Sequence, residues 1–108
     1  MSIEIHDNSE EIANEIKSAL LRGLETCGLV AEGYAKKLAP VDTGNLRNSI
    51  THTVDEEEPA AYIGTNVEYA PYQELGTIHM KAQPFLKPAV ADHANEYRRI
   101  IEKELKNG

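Results

Sequence analysis

The sequence has little of what stabilises secreted or membrane proteins of its size. Its 108 residues include one cysteine, which excludes an internal disulfide and therefore a disulfide-stabilised secreted scaffold. No apolar run approaches about 18 residues, and the first residues are acidic and polar. We therefore expect neither a transmembrane span nor a secretory signal peptide. The length predicts a single domain, residues 1–108, with a core small enough that self-association would add useful burial.

Positive charge is also scarce, and it is unevenly spread. The net charge of −7 argues against non-specific affinity for nucleic acid or anionic lipid. Residues 1–20 and residues 41–60 each carry five acids and one base, whereas residues 81–108 carry six bases and four acids. Oppositely charged ends suit repeated head-to-tail contact between copies, although ordinary solubility explains the same pattern.

A long amphipathic helix is predicted from Ser9 to Ala39, where Pro40 ends it. At 1.5 Å per residue it would be about 46 Å long, and a compact domain of this size is only about 34 Å across. The helix must therefore overhang, bend or pack on a neighbouring subunit. Gly23, Gly28 and Gly33 predict bends or close approaches within it. The predicted apolar stripe consists of Ile12, Ile16, Leu20, Leu24, Cys27, Ala31, Tyr34 and Leu38.

The middle of the chain has the alternation of β-strands. Residues 50–54 and 60–66 predict a hairpin around the highly charged turn at residues 55–59. Residues 78–83 predict a further strand. The sheet is thus expected to be antiparallel, with three to four strands.

Two more helical segments are predicted after the hairpin. Residues 71–75 form one helical turn, with Gly76 as its left-handed cap. A final helix runs from Val90 to Lys106, and Pro88 precedes it at a position suited to a first helical turn. The fold class is therefore α+β, with a long N-terminal helix, a small antiparallel sheet and a C-terminal helix packed on that sheet.

The tripeptide Asp42-Thr43-Gly44 is the one enzyme-like signal. It occurs at the catalytic turn of retroviral-type aspartic proteases, in which two aspartates share one proton and activate water. Those enzymes are almost entirely β and carry a Gly-rich flap, whereas a long helix precedes the tripeptide here. A tight turn capped by Asp42 or Thr43 is therefore favoured over a protease.

Other patterns give no catalytic, cofactor-binding or metal site. The lone cysteine and the four histidines have no ligand spacing, and no phosphate- or dinucleotide-binding loop is present. Basic residues of the last helix alternate with glutamates, which favours a solvated face over phosphate binding. Tyr62, Tyr69 and Tyr72 are residues of a type enriched at protein interfaces. The histidines are His6, His52, His79 and His93, and the basic residues are Arg98, Arg99, Lys103 and Lys106.

Three segments in order resemble one family. They are APVDTGNLRNSI at 39–50, EYAPYQELGT at 68–77 and MKAQPFLKPA at 80–89. Together with the flanking helices they are similar to the gene-product-ten-like family of siphophages and prophages, whose members join heads to tails. The resemblance implies a non-enzymatic neck or tail-completion protein, made in the bacterial cytoplasm and placed in the virion neck or tail. It also implies a homo-oligomeric ring, hexameric in the virion, around a channel through which DNA passes. The partners would be other neck and tail proteins, with no specific nucleic-acid binding and no membrane.

The resemblance carries over structural or docking roles to residues of the three segments. The exposed glutamate run at residues 56–58 is a separate candidate, because acids facing a channel would repel the DNA backbone. A tail-terminator ring, a toxin-like or regulatory interaction domain and the aspartic protease remain as alternatives. The implied motif residues are Asp42, Thr43, Gly44, Leu46, Ser49, Tyr69, Tyr72, Glu74, Gly76, Thr77, Pro84, Phe85 and Pro88, and the channel candidates are Glu56, Glu57 and Glu58.

Overall fold

The computed structural model of the chain describes residues 9–40, 45–79 and 81–107. The molecule is elongated, with extents of 80 × 22 × 22 Å. No helix among the described residues is long and apolar enough to cross a membrane. In chain order the elements are α1 (Ser9–Leu38), α2 (Asn45–Ser49), β1 (Thr51–Asp55), β2 (Ala60–Gly64), α3 (Ala70–Leu75), α4 (Leu86–Ala91) and α5 (Ala94–Asn107).

Helix α1 confirms the predicted long helix. It begins at Ser9, and the N–H of Ala39 still donates to the Ala35 carbonyl oxygen at 2.9 Å, one residue past its last helical residue. Acidic side chains occupy its first turn and basic ones its last, as the helix dipole favours. Thirty residues make the helix about 45 Å long, so it overhangs the rest of the molecule.

The buried face of α1 differs from the predicted stripe. Ile12, Ile16 and Leu38 are exposed, and the line of buried residues is formed by small ones. Small residues are buried because neighbouring backbone comes close: a Cβ on Gly23 would lie 3.3 Å from the Cα of Ile101. The close approach predicted at Gly33 is wrong, because nothing lies within 4 Å there. The buried line consists of Ala19, Gly23, Cys27, Ala31 and Ala35.

The sheet is a single two-stranded hairpin. Strands β1 and β2 are antiparallel, and His52 pairs with Ile63 while Val54 pairs with Ala61. The prediction of three to four strands is wrong, since the described residues of segment 78–83 form no strand. Ile78 is 94% exposed, and the N–H of Gln83 donates instead to the carbonyl oxygen of Gln73 in α3 at 2.8 Å.

The C-terminal region is two helices where one was predicted. Helix α4 ends at Ala91, a turn at residues 92–93 follows, and α5 then packs mainly against α1 rather than on the sheet. Pro88 is the third residue of α4 rather than the first, still within the first turn, where an N–H would have no helical partner. The α+β fold class is confirmed, with α1 as the element against which β1, β2, α4 and α5 pack.

Candidate interaction surfaces

The three sequence motifs meet in one buried group, which we call the motif cluster (Leu46, Ile50, Ala70, Phe85 and Ala89). Leu46 and Ile50 come from the first motif, Ala70 from the second, and Phe85 and Ala89 from the third. Small residues near the C-terminal end of α1 complete the cluster. Phe85 and Ile50 are the largest fully buried side chains among the described residues. The motifs therefore share a common core.

Side-chain hydrogen bonds join the first motif to its neighbours. The Ser49 hydroxyl donates to the Leu46 carbonyl oxygen at 2.7 Å and is also paired with the Thr65 hydroxyl, beyond β2. The Arg47 Nε donates to the Lys36 carbonyl oxygen in the last turn of α1 at 3.1 Å. This contact satisfies a carbonyl that has no partner within its own helix.

Glu74 links the second motif to the third. Its Oε1 accepts from the N–H groups of Phe85 at 3.2 Å and Leu86 at 2.8 Å, and its Oε2 accepts from the N–H of Lys87 at 3.2 Å. These are unpartnered donors at the start of α4, so one carboxylate from α3 caps another helix. We call this contact the Glu74 clamp. Its acceptor role was not visible in the sequence, because the two helices lie eleven or more residues apart.

Gly76 ends α3 as the sequence predicts. Its φ is +78° with ψ 174°, and its N–H donates to the Tyr72 carbonyl oxygen at 2.8 Å. Among the described residues it is the only one with positive φ. This backbone conformation is strained for any residue with a side chain. Thr77 follows, and its hydroxyl oxygen accepts from the N–H of His79 at 3.2 Å.

Four large apolar side chains in the second motif and just after it are exposed. Tyr69, Tyr72, Leu75 and Ile78 are exposed and follow one another every three residues along α3 and just beyond it. We call them the tyrosine patch. Beside it, a depression of about 370 Å³ is lined mainly by apolar atoms, including those of Leu75. The second motif thus has a buried side facing the cluster and an apolar side facing solvent, and the latter is typical of an interaction site.

The remaining predicted residues lie at the surface or outside the described part. Glu56, Glu57 and Glu58 form the exposed tip of the hairpin, where Asp55 Oδ1 accepts from the N–H groups of Glu57 at 2.9 Å and Glu58 at 3.3 Å. Pro84 is exposed and Pro88 half-buried. The residues Asp42, Thr43, Gly44 and His6 lie outside the described residues.

His52 has a charged environment that sequence spacing does not reveal. From β1 its ring lies against Gly28 of α1, where an added Cβ would come within 2.8 Å of the ring. Its Nε2 is 2.6 Å from a Glu25 carboxylate oxygen and its Nδ1 is 3.2 Å from one of Glu32. The hydrogen bond to Glu25 is the main cause of a raised His52 pKa, which burial partly opposes.

A second polar group joins α1 to α5. The Tyr34 ring stacks on His93 with centroids 3.6 Å apart, and its hydroxyl donates to Glu96 at 2.6 Å. That hydrogen bond raises the pKa of Tyr34, and burial raises the pKa of Tyr97 to about 12. Burial also raises the pKa of the Cys27 thiol, which disfavours the reactive thiolate. Residues 9–40, 45–79 and 81–107 contain no group of three or more His, Cys, Asp or Glu able to hold a metal ion.

Comparisons with known proteins give one match. The family model described as "Bacteriophage HK97-gp10, putative tail-component" matches residues 3–76, about two thirds of the chain. The matched region includes α1, the hairpin and nearly all of the first two motifs, and it confirms the resemblance that those motifs indicate. No curated protein and no solved structure gives a significant match.

Proposed function

The chain belongs to the HK97-gp10-like family of phage tail components, and from that membership we propose that it is a ring subunit of the virion neck that joins head to tail. The family match carries this proposal. A tail component is a structural part of the virion, which accords with a non-enzymatic role and with other tail proteins as partners.

Two surfaces support a joining role. The tyrosine patch offers exposed tyrosine and aliphatic side chains next to a rigid buried core, the arrangement typical of a docking site. The hairpin tip carries Glu56, Glu57 and Glu58, which we assign to the channel, where negative charge would keep DNA from adhering. We expect the ring to be hexameric and to close on its partner surface, so that the isolated chain is monomeric or weakly associated. A stable closed ring in dilute solution, seen by light scattering, would contradict this order of assembly.

Deletion of the gene from the phage or prophage tests the function. A joining protein supplies complementary surface between two finished parts, so its loss should leave DNA-filled heads and normal-length tails that stay separate in electron micrographs. Overlong tails would indicate a tail terminator instead, because a terminator stops tube polymerisation. Empty heads beside normal tails would indicate a head-stabilising role.

A substitution in the tyrosine patch tests the docking site. Tyr72 is 58% exposed on α3 and Tyr62 is 56% exposed on β2, so Tyr62→Ala is a matched control for Tyr72→Ala. Both variants should fold normally, since neither ring is buried. Tyr72→Ala alone should lower the yield of joined particles. Equal yields from the two variants would remove the patch from the joining interface.

The alternative function, an aspartic protease, can be tested with a peptidase assay. Peptidase activity in the acid range that is lost on Asp42→Asn would establish it, because the mechanism requires an ionisable carboxyl at that position. We expect no such activity.

A further inference from the structure

The first ten described residues of α1 form an arm (residues 9–18) in which every residue is exposed. Ile12 and Ile16 are among them, whereas the next residue, Ala19, is buried. The reason is the end of α5: this helix packs on α1 with Ile101 at Gly23 and Glu104 at Arg22, and it ends at Asn107. The arm therefore extends about 15 Å past its neighbour.

The arm has an apolar face with an acidic flank. Ile12 and Ile16 are four residues apart and so lie on one side of the helix. Glu11 and Glu15 precede them by one residue each and lie together on one flank of that side. None of the arm glutamates is in an ion pair with another described residue.

An apolar groove that could receive the apolar face of such an arm lies elsewhere on the same molecule. It has a volume of about 180 Å³ and runs between the hairpin and α5, with α1 as its floor. Its lining is mainly apolar and includes Ile63, Val90, Tyr97 and Ile101. A cavity of about 150 Å³ holds a molecule as large as benzene, so this groove can take a branched aliphatic side chain.

A basic side chain lies at the edge of the groove. Arg98 is exposed and lies on α5 between the groove residues Tyr97 and Ile101. Arg99, Lys103 and Lys106 lie on the opposite side of that helix, where they line a separate depression. Within the described part of the chain Arg98 is in no ion pair. The acids of the arm and Arg98 are thus complementary charges, each without an ion pair among the described residues.

We propose that the arm of one subunit docks at the groove of a second copy, with its Ile12 and Ile16 side against the groove and Glu11 and Glu15 facing Arg98 of α5. Each subunit then donates one arm and accepts one. Such a head-to-tail contact closes into a ring when the rotation per subunit permits. The inference rests on the proposed neck ring and names the surfaces that build it.

Disulfide trapping between two single-cysteine chains tests the contact. Both chains carry Cys27→Ala. One adds Ile16→Cys on the arm and the other adds Val90→Cys at the groove, two positions that are half-exposed and tolerant of change. Under a mild oxidant at high protein concentration, the mixture should form a dimer twice the 12.0 kDa chain mass, and neither variant should do so alone. A third variant, Asn14→Cys on the opposite side of the arm, should give no dimer with Val90→Cys.

Charge reversal then tests the acidic flank. The double change Glu11→Lys with Glu15→Lys should reduce the trapped dimer, and the further change Arg98→Glu in the groove chain should restore it, whereas Arg99→Glu, on the opposite side of α5, should not. A dimer that forms equally well with Asn14→Cys, or a cross-link of the arm to a different tail protein, would overturn the proposal. So would absence of the dimer both in concentrated protein and in assembled particles. In that case, separate heads and tails in the deletion phage would still support the neck role.

Discussion

Helix α1 has a covered part, residues 19–38, and an exposed part, the arm at residues 9–18. The covered part buries alanine, glycine and cysteine, whereas the arm exposes two isoleucines. The positions of α1 that face the closest neighbouring residues hold small side chains, because a larger one would not fit there. The large side chains Ile12 and Ile16 lie on the arm, where they are exposed.

The largest expected effect comes from comparing a truncation in the arm with one in the motif cluster, to which the covered part of α1 contributes Ala35. Phe85→Ala should lower the free energy of unfolding by about 3–5 kcal/mol, since it leaves a cavity in the motif cluster. Ile16→Ala in the arm should change it by no more than about 0.5 kcal/mol. Urea denaturation of both variants measures this. A cost for Ile16→Ala similar to that for Phe85→Ala would mean that the arm is packed in the free chain.

The turn that ends α3 can be tested at Gly76. Gly76→Val should lower the free energy of unfolding by about 1–3 kcal/mol, because the positive φ at this position is strained for a β-branched residue. Gly64→Val is the control, since Gly64 ends strand β2 with nothing within 4 Å of a new Cβ and no positive φ. Thermal unfolding should separate the two variants. Equal melting temperatures would show that the turn after α3 relaxes freely.

Alanine substitutions at two glycines of α1 should change the free energy of unfolding in opposite directions. Gly28→Ala should destabilise by about 1–3 kcal/mol, because its Cβ would meet His52 at 2.8 Å and displace the ring from its glutamates. Gly33→Ala should stabilise by about 1 kcal/mol, since it adds helix propensity where nothing lies within 4 Å. Stabilisation by both changes would indicate that the hairpin is not held tightly at Gly28.

The smallest expected effect is a pH dependence at His52. Because Glu25 and Glu32 raise the folded-state pKa, the folded protein holds a proton that the unfolded chain gives up. The resulting stability should be full below a pH of about 6.5 and should decline as pH rises through the folded-state pKa. Melting temperatures of wild type and His52→Gln should therefore converge from pH 6 to pH 8. Melting temperatures that diverge over that range would contradict the contacts of His52 with Glu25 and Glu32.

Some elements are predictable from sequence because their signals are local. Ser9 and Pro40 mark the limits of α1, the charged turn marks the hairpin, and Gly76 marks the end of α3. Each depends on backbone and side-chain preferences within a few residues. From the sequence Phe85 is expected only as a residue of the third motif, and its position in the core comes from the structure.

The predictions that were wrong concern features that depend on contacts between distant segments. The apolar alternation of residues 78–83 is compatible with a strand, but the segment bonds to Gln73 instead of to a strand edge. The contacts of Glu74 and His52 likewise need the tertiary packing, because their partners are distant in sequence. Single-sequence periodicity also selects large apolar residues, so it placed Ile12 and Ile16 inside and gave less weight to the small residues that are buried.

The Glu74 clamp has a consequence for how the chain can change in length. It fixes the two ends of the segment between α3 and α4 to each other, so the position of α4 does not depend on that segment's own conformation. Doubling the length of such a closed loop costs only about 0.6 kcal/mol of entropy. Insertions here should therefore be tolerated, and the segment is a natural place for an epitope tag that reports on the assembled particle.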